Sequence, residues 1–293
     1  PIEESRVLDL NLGPNTVNQM HHYHPDLGGS GITLSMQELR YNSEDIDLHG
    51  RHVASFLEAT DVSNHATDMA TIAAGSGNSF ITGRGVAYDV RITSSDFTDL
   101  MPDRDQDYAT LDAWVQNHSY GTVIENFYGT LAEAYDQSAN RNLQLLHIFS
   151  SGNQGAETST AGPYKDVKGF ANLTGNFKMA KNILTVGAVD TIGSPVLFSS
   201  RGPAYDGRVK PDLVAYSTQG TSNATALVSG VAVILQQAYK EKTGALPPSA
   251  FLKSLLINSA ADVGAPGPDF VTGYGNVDGY RALREMQADH YFS

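Results

Sequence analysis

The chain of 293 residues contains no cysteine, so disulfides and thiol chemistry are excluded from the start. That lack suits a protein exposed to oxidising surroundings without deciding the compartment. Basic residues are scarce: 19 Lys and Arg stand against 32 Asp and Glu, for a net charge of −13. Such a balance argues against nucleic acid as a partner and favours solubility. No apolar run approaches the roughly 18 residues of a membrane span, so none is expected. What the chain has in quantity is glycine, 28 residues of it, which suggests many tight turns and close backbone approaches. With 41% hydrophobic residues there is material for one large globular domain or two small ones. Pro1 stands where an initiator Met would, with no signal peptide ahead of it, which reads as an excised or processed fragment.

Read in order, residues 1–28 are polar and mixed, with a turn signal at Gly13 to Asn15. His21, His22 and His24 cluster there, but without cysteine or a well-spaced carboxylate no metal site is expected. Ile32, Leu34 and Met36 alternate with polar residues, a strand ending at Glu38. Asn64 to Ala74 reads as a helix of small residues, 85–94 as a strand and 99–107 as a loop. Residues 111–114 read as a helix end, and 115–119 as a strand. A helix over 131–140 and a buried strand over 143–149 follow, then strands over 183–189 and 209–215. Helices are expected from Thr221, over 249–260 and over 280–287. Strands alternating with helices predict an α/β three-layer sandwich, a central, mostly parallel sheet flanked by helices on both faces. In such sheets the site lies beyond the carboxyl ends of the strands. Glu38, Ser119, Asn153 and the loop before Ser222 all sit at such ends.

Gly220-Thr221-Ser222 stands directly before an apolar helical run in which Val228, Val231, Ala232 and Leu235 share one face. A serine there has two readings. It can cap the free N–H groups of the first turn, or it can be a nucleophile whose oxyanion those N–H groups favour. The stretch alone favours the cap.

The rest of the chain reverses that order. Gly220 to Thr225, GTSNAT, resembles the nucleophile signature of the subtilisin-like serine peptidases, the subtilases. Phe198 to Pro203, FSSRGP, followed by Lys210 to Ala215, KPDLVA, is similar to further elements of that family. Ser151 to Gly155, SGNQG, resembles the segment carrying its oxyanion asparagine. His65-Ala66-Thr67 stands where the family has its histidine, and Gly273 to Asp278 resembles its C-terminal GYGxVD. The matches run in family order across nearly the whole chain.

The resemblance implies a serine endopeptidase acting through an acyl-enzyme. Ser222 would be the nucleophile, His65 the general base and acid, and Asn153 the oxyanion donor together with the Ser222 N–H. Ser119, Tyr120 and Gly121 would pair with an extended substrate and, with Ser150, Ser151 and Gly152, wall the pocket for the residue before the cut. Small residues beside Tyr120 suit an apolar side chain there. The departure is the acid, for the family's VAVIDTG string is missing. Laying the family strand pattern on Gly29 to Glu38, and counting back from Asp47, both put Glu38 on the aspartate; Asp9, Asp45 and Asp47 are the competitors. The extra methylene moves the carboxylate by about 1.5 Å, so strand or rotamer must adjust.

Two further readings stand beside the peptidase: a catalytically impaired subtilase-fold binding protein, and a transpeptidase or macrocyclase using the same acyl-enzyme. No cofactor is required, and calcium is possible by resemblance only. The expected partners are a polypeptide substrate and a propeptide inhibitor or chaperone, in a secreted or periplasmic setting. Residues 1–28 are expected to form an N-terminal extension packed on the core, and 29–293 a single subtilase-like peptidase domain.

Overall fold

The structure, a computed structural model, describes residues 10–289. Six strands form one sheet: β1 (Thr33–Gln37), β2 (Arg91–Ser95), β3 (Ala113–His118), β4 (Leu146–Ser150), β5 (Leu184–Val189) and β6 (Leu213–Tyr216). Their order is β2-β1-β3-β4-β5-β6 and every pairing is parallel. Parallel strands need helical crossovers, which cover both faces and leave the strands buried throughout. β4 illustrates it: Ile148 joins the larger core cluster, and the next residue, Phe149, joins a second on the opposite face.

The larger face is filled by α2 (Asn64–Ala74) and α5 (Thr221–Thr243). α5 carries sixteen buried residues, so it is buried nearly all round, as a helix sandwiched between sheet and helices must be. Gly230 lets α5 approach α2 closely, since a Cβ there would lie 2.8 Å from the Ala73 carbonyl oxygen. α6 (Ser249–Ser259) and α7 (Gly279–Gln287) complete that layer, and α4 (Thr130–Arg141) lies on the other face with Tyr135 against Phe149.

Several expected boundaries move. The apolar residues at 85–90 are not strand: Val86, Ala87 and Val90 are buried in the α2–α5 core, and the ladder begins at Arg91. α3 spans Asp105–Leu111, earlier than expected, with the Arg104 guanidinium on Asp107 at its start and Asp112 in the left-handed region at its end. Residues 209–212 lie outside β6, where Pro211 has no N–H to give a ladder. A helix unforeseen in the polar N-terminal region, α1 (Val17–Tyr23), sets Val17 and Met20 into the core and Tyr23 in a stack on Tyr280 of α7.

Candidate active site

The carboxyl ends of β1, β3 and β4 and the start of α5 converge on one region. Glu38 follows β1 directly; its N–H continues the ladder to the Ser95 carbonyl at 2.9 Å, and its side chain is buried. His65 is the second residue of α2, whose first turn is capped by Ser63 through the Ala66 N–H. The chain before α2 is pinned to the residue pair after Glu38: Arg40 N–H donates to Asp61 O and Ser63 N–H to Arg40 O. This fixes the gap between strand and helix, and the glutamate spans it. Glu38 Oε2 lies 2.8 Å from His65 Nδ1. Glu38, the residue that the register count selects, is thus the carboxylate beside His65. Asp47 is committed elsewhere, to the Ser79 N–H and hydroxyl, Asp45 accepts from the Asp47 N–H, and Asp9 lies outside the described residues.

Burial raises the Glu38 carboxyl above the ordinary carboxylate range, against the pull of the His65 hydrogen bond. His65 is raised because Glu38 accepts its Nδ1 proton; its own partial burial opposes this. The imidazole remains half exposed on its outer side, at 50% of the side chain, whereas Glu38 retains 5%. Glu38 Oε1 has no full hydrogen-bond partner, although the Ser119 backbone N–H faces the carboxylate and favours its charged form.

Ser222 is the second residue of α5, behind Gly220 at the cap position, and Gly220 supplies no side chain. The capping reading of the serine is therefore wrong. Its Oγ donates to the Ser119 carbonyl at 3.0 Å, and Ser119 Oγ donates back to the Ser222 carbonyl at 3.1 Å. In this rotamer the hydroxyl proton is committed to the Ser119 carbonyl. A χ1 rotation, fast for a partly exposed serine, frees it.

Asn153 stands exposed after β4. Its Oδ1 accepts from the Thr221 N–H at 2.9 Å and from Thr221 Oγ1 at 3.1 Å. A backbone N–H can only donate, so the amide is fixed with Oδ1 inward and both Nδ2 protons facing away. Thr221 Oγ1 also accepts from the Gly152 N–H at 3.1 Å, which ties the end of β4 to the nucleophile turn. This orienting role of Thr221 was not read from the sequence, although the residue sits inside the GTS motif.

The expected substrate walls are adjacent. Ser150 Oγ donates to the Tyr120 carbonyl at 3.2 Å and so joins the two. Tyr120 turns its ring inward, between Phe97 and Phe177, with its hydroxyl on His118 Nδ1 and Tyr135. Gly121 and Gly152 both face Thr174, where a Cβ on either would collide with the Thr174 hydroxyl; Gly152 is also at φ 114°. Ser151 is buried and accepts the Thr174 N–H. The N-terminal histidines are not gathered as ligands: His21 binds the Val86 carbonyl and His22 packs on Tyr23. Among the described residues no group of three or more His, Asp or Glu is placed to hold a metal ion, and no helix is long and apolar enough to cross a membrane.

Comparison with known proteins accords with this geometry. The profile described as "Subtilase family" matches residues 23–275. Among solved structures, the Clostridium perfringens CspB protease superposes with a TM-score of 0.76 at 14% identity, covering 96% of this chain and 98% of its own. The patellamide maturation protease PatA gives 0.66 at 21%, covering 88% and 97%. MycP1 from the ESX-1 type VII secretion system gives 0.65 at 20%, covering 96% and 88%. At such identities the likeness bears on the fold.

Proposed function

Since the chain belongs to the subtilase family and is a serine peptidase, we propose that it cleaves peptide bonds with Ser222, His65, Glu38 and Asn153 as its machinery. The observation that carries this assignment is the 2.8 Å bond between the buried Glu38 carboxylate and His65 Nδ1. It holds the imidazole in the tautomer that leaves Nε2 free to take a proton. Ser222, rotated off Ser119, gives its proton to Nε2 and attacks the scissile carbonyl. Glu38 stabilises the imidazolium, which then protonates the leaving amine. The Asn153 Nδ2 donors and the Ser222 N–H, an unshared donor of the first turn of α5, face the developing oxyanion. Water then attacks the acyl-enzyme by the same route in reverse.

In this reading Ser119 is a positioning residue: its carbonyl parks the resting nucleophile while its N–H faces Glu38. Each step uses a group of this chain, so no cofactor enters. A secreted or periplasmic setting and a propeptide that covers the site during folding belong to the proposal, the first being compatible with a cysteine-free chain.

Labelling with a fluorophosphonate probe tests the assignment. Labelling should vanish in Ser222→Ala and slow strongly in His65→Ala and Glu38→Ala, while Asp45→Ala labels like the parent. A folded parent chain that does not label would mean that Ser222 is not activated, and the peptide-binding alternative would stand.

A further inference from the structure

Between the two substrate walls lies a floor that nothing in the mechanism uses. The Thr174 N–H donates to the Ser151 carbonyl, and Thr174 bridges to Ile124 just beyond Gly121, so one backbone segment joins both walls. Two hydrogen bonds bring the slot beside the nucleophile: Ser222 Oγ to Ser119 O, and the Gly152 N–H to Thr221 Oγ1. A 3-10 turn, Asn176–Met179, follows the floor and turns Lys178 back beneath it. Lys178 Nζ donates to Thr174 Oγ1 at 2.8 Å and lies 3.1 Å from where a Gly121 Cβ would be.

This lysine is fully buried. Its ammonium has one hydroxyl as acceptor, and no carboxylate among the described residues pairs with it. Burial alone pulls it well below the ordinary lysine range. Contrast Lys210, equally buried but paired with Asp212 at 2.5 Å. A buried lysine without a counter-ion is costly to charge, and Lys178 lies beneath Thr174, between the two walls.

We propose that Lys178 is the specificity-determining residue of the slot, and that the substrate residue preceding the scissile bond is acidic, its carboxylate pairing with the Lys178 ammonium. The inference rests on the assignment of Ser222 and of the two walls, and it replaces the apolar preference that the small wall residues suggest. A glutamate or aspartate entering between Gly121 and Gly152 supplies the missing counter-ion, with the Thr174 hydroxyl as a second donor once it turns from the floor. A lysine or arginine there meets like charge. A leucine leaves the ammonium unpaired.

The test is cleavage of quenched peptides differing only at that residue (Glu, Asp, Gln, Leu, Lys) by the parent chain and by Lys178→Met. A close charge pair in a desolvated contact is net favourable, so kcat/KM for Glu should exceed that for Gln by at least roughly tenfold. Lys178→Met should melt at the same or higher temperature, having lost a buried amine with no counter-ion. Its Glu-to-Gln ratio should fall to about one. A parent that labels normally but cleaves Leu or Lys peptides as well as Glu overturns the inference and leaves the catalytic assignment intact. So does a Lys178→Met chain that keeps the Glu preference. A folded parent that fails to label overturns both.

Discussion

Replacing Glu38 by glutamine is the most informative single change, because it keeps the shape and removes the charge. The carboxylate is buried and its Oε2 is 2.8 Å from His65 Nδ1. With charge centres about 4 Å apart and an effective dielectric of about 20, its attraction for the imidazolium is about 4 kcal/mol, or about 10³ in rate. The half-exposed outer side of His65 lets water screen part of this, so 10³ is a ceiling for the charge term. A second loss adds to it. The glutamine amide can turn its NH2 toward Nδ1, which drives the histidine proton to Nε2 and blocks the base. The same acid-to-amide change in another serine-protease fold costs about 10⁴ in kcat. The expected fall in kcat/KM for Glu38→Gln is therefore between about 100-fold and 10⁴-fold. Glu38→Asp draws the oxygen back by about 1.5 Å and should cost about 100-fold. Steady-state kinetics on a quenched peptide, beside a thermal melt, reads both. A Glu38→Gln enzyme within tenfold of the parent would refute the glutamate as the orienting acid.

The same pair sets the pH profile. His65 must be neutral to act and its pKa is raised by Glu38, so kcat/KM should rise with pH through a limb above 6.5; in Glu38→Gln that limb should move down, and an unmoved limb would sever the link. Asn153→Ala should lower kcat by about 10²–10³-fold with little change in KM, and a change confined to KM would give Asn153 a ground-state role. Gly152→Ala, at φ 114° and against Thr174, should destabilise the chain and slow cleavage, which melts and kinetics can check. Asp212→Asn should cost roughly 3–5 kcal/mol in urea unfolding, because it strands the buried Lys210; a loss under 1 kcal/mol would mean that Lys210 is already neutral. Burial puts Lys210 at about 8. The unfolded chain holds this proton up to about 10.4, so this group makes stability rise with pH between those values.

The sheet was legible because its strands are buried on both faces and read as short apolar runs between glycine-rich turns. Errors fell where burial and strand pairing part company. Val86, Ala87 and Val90 are apolar because they line a helical core, and α1 was missed because only Val17 and Met20 among its seven residues are buried. Of the candidate site, Glu38 was placed by counting along the strand, and Ser222, His65 and Asn153 by motif; the structure sets Glu38 Oε2 2.8 Å from His65 Nδ1. What the sequence kept back was orientation. That Ser119 holds the nucleophile, that Thr221 turns the Asn153 amide, and that Lys178 reaches under Gly121 are contacts between segments 57 to 103 positions apart. No local pattern encodes them.

The parallel sheet has a consequence for when this chain becomes dangerous. Its reactive groups arrive from the ends of non-adjacent stretches, with Ser222 meeting Ser119 across 103 positions and His65 meeting Glu38 across 27. Pairings of that range are late and slow to form, since each closes a long loop before any contact rewards it. A chain still emerging or half collapsed has a serine, a histidine and a carboxylate, but none within reach of another. On the proposed assignment of Ser222, His65 and Glu38, cutting power thus depends on these long-range contacts having closed.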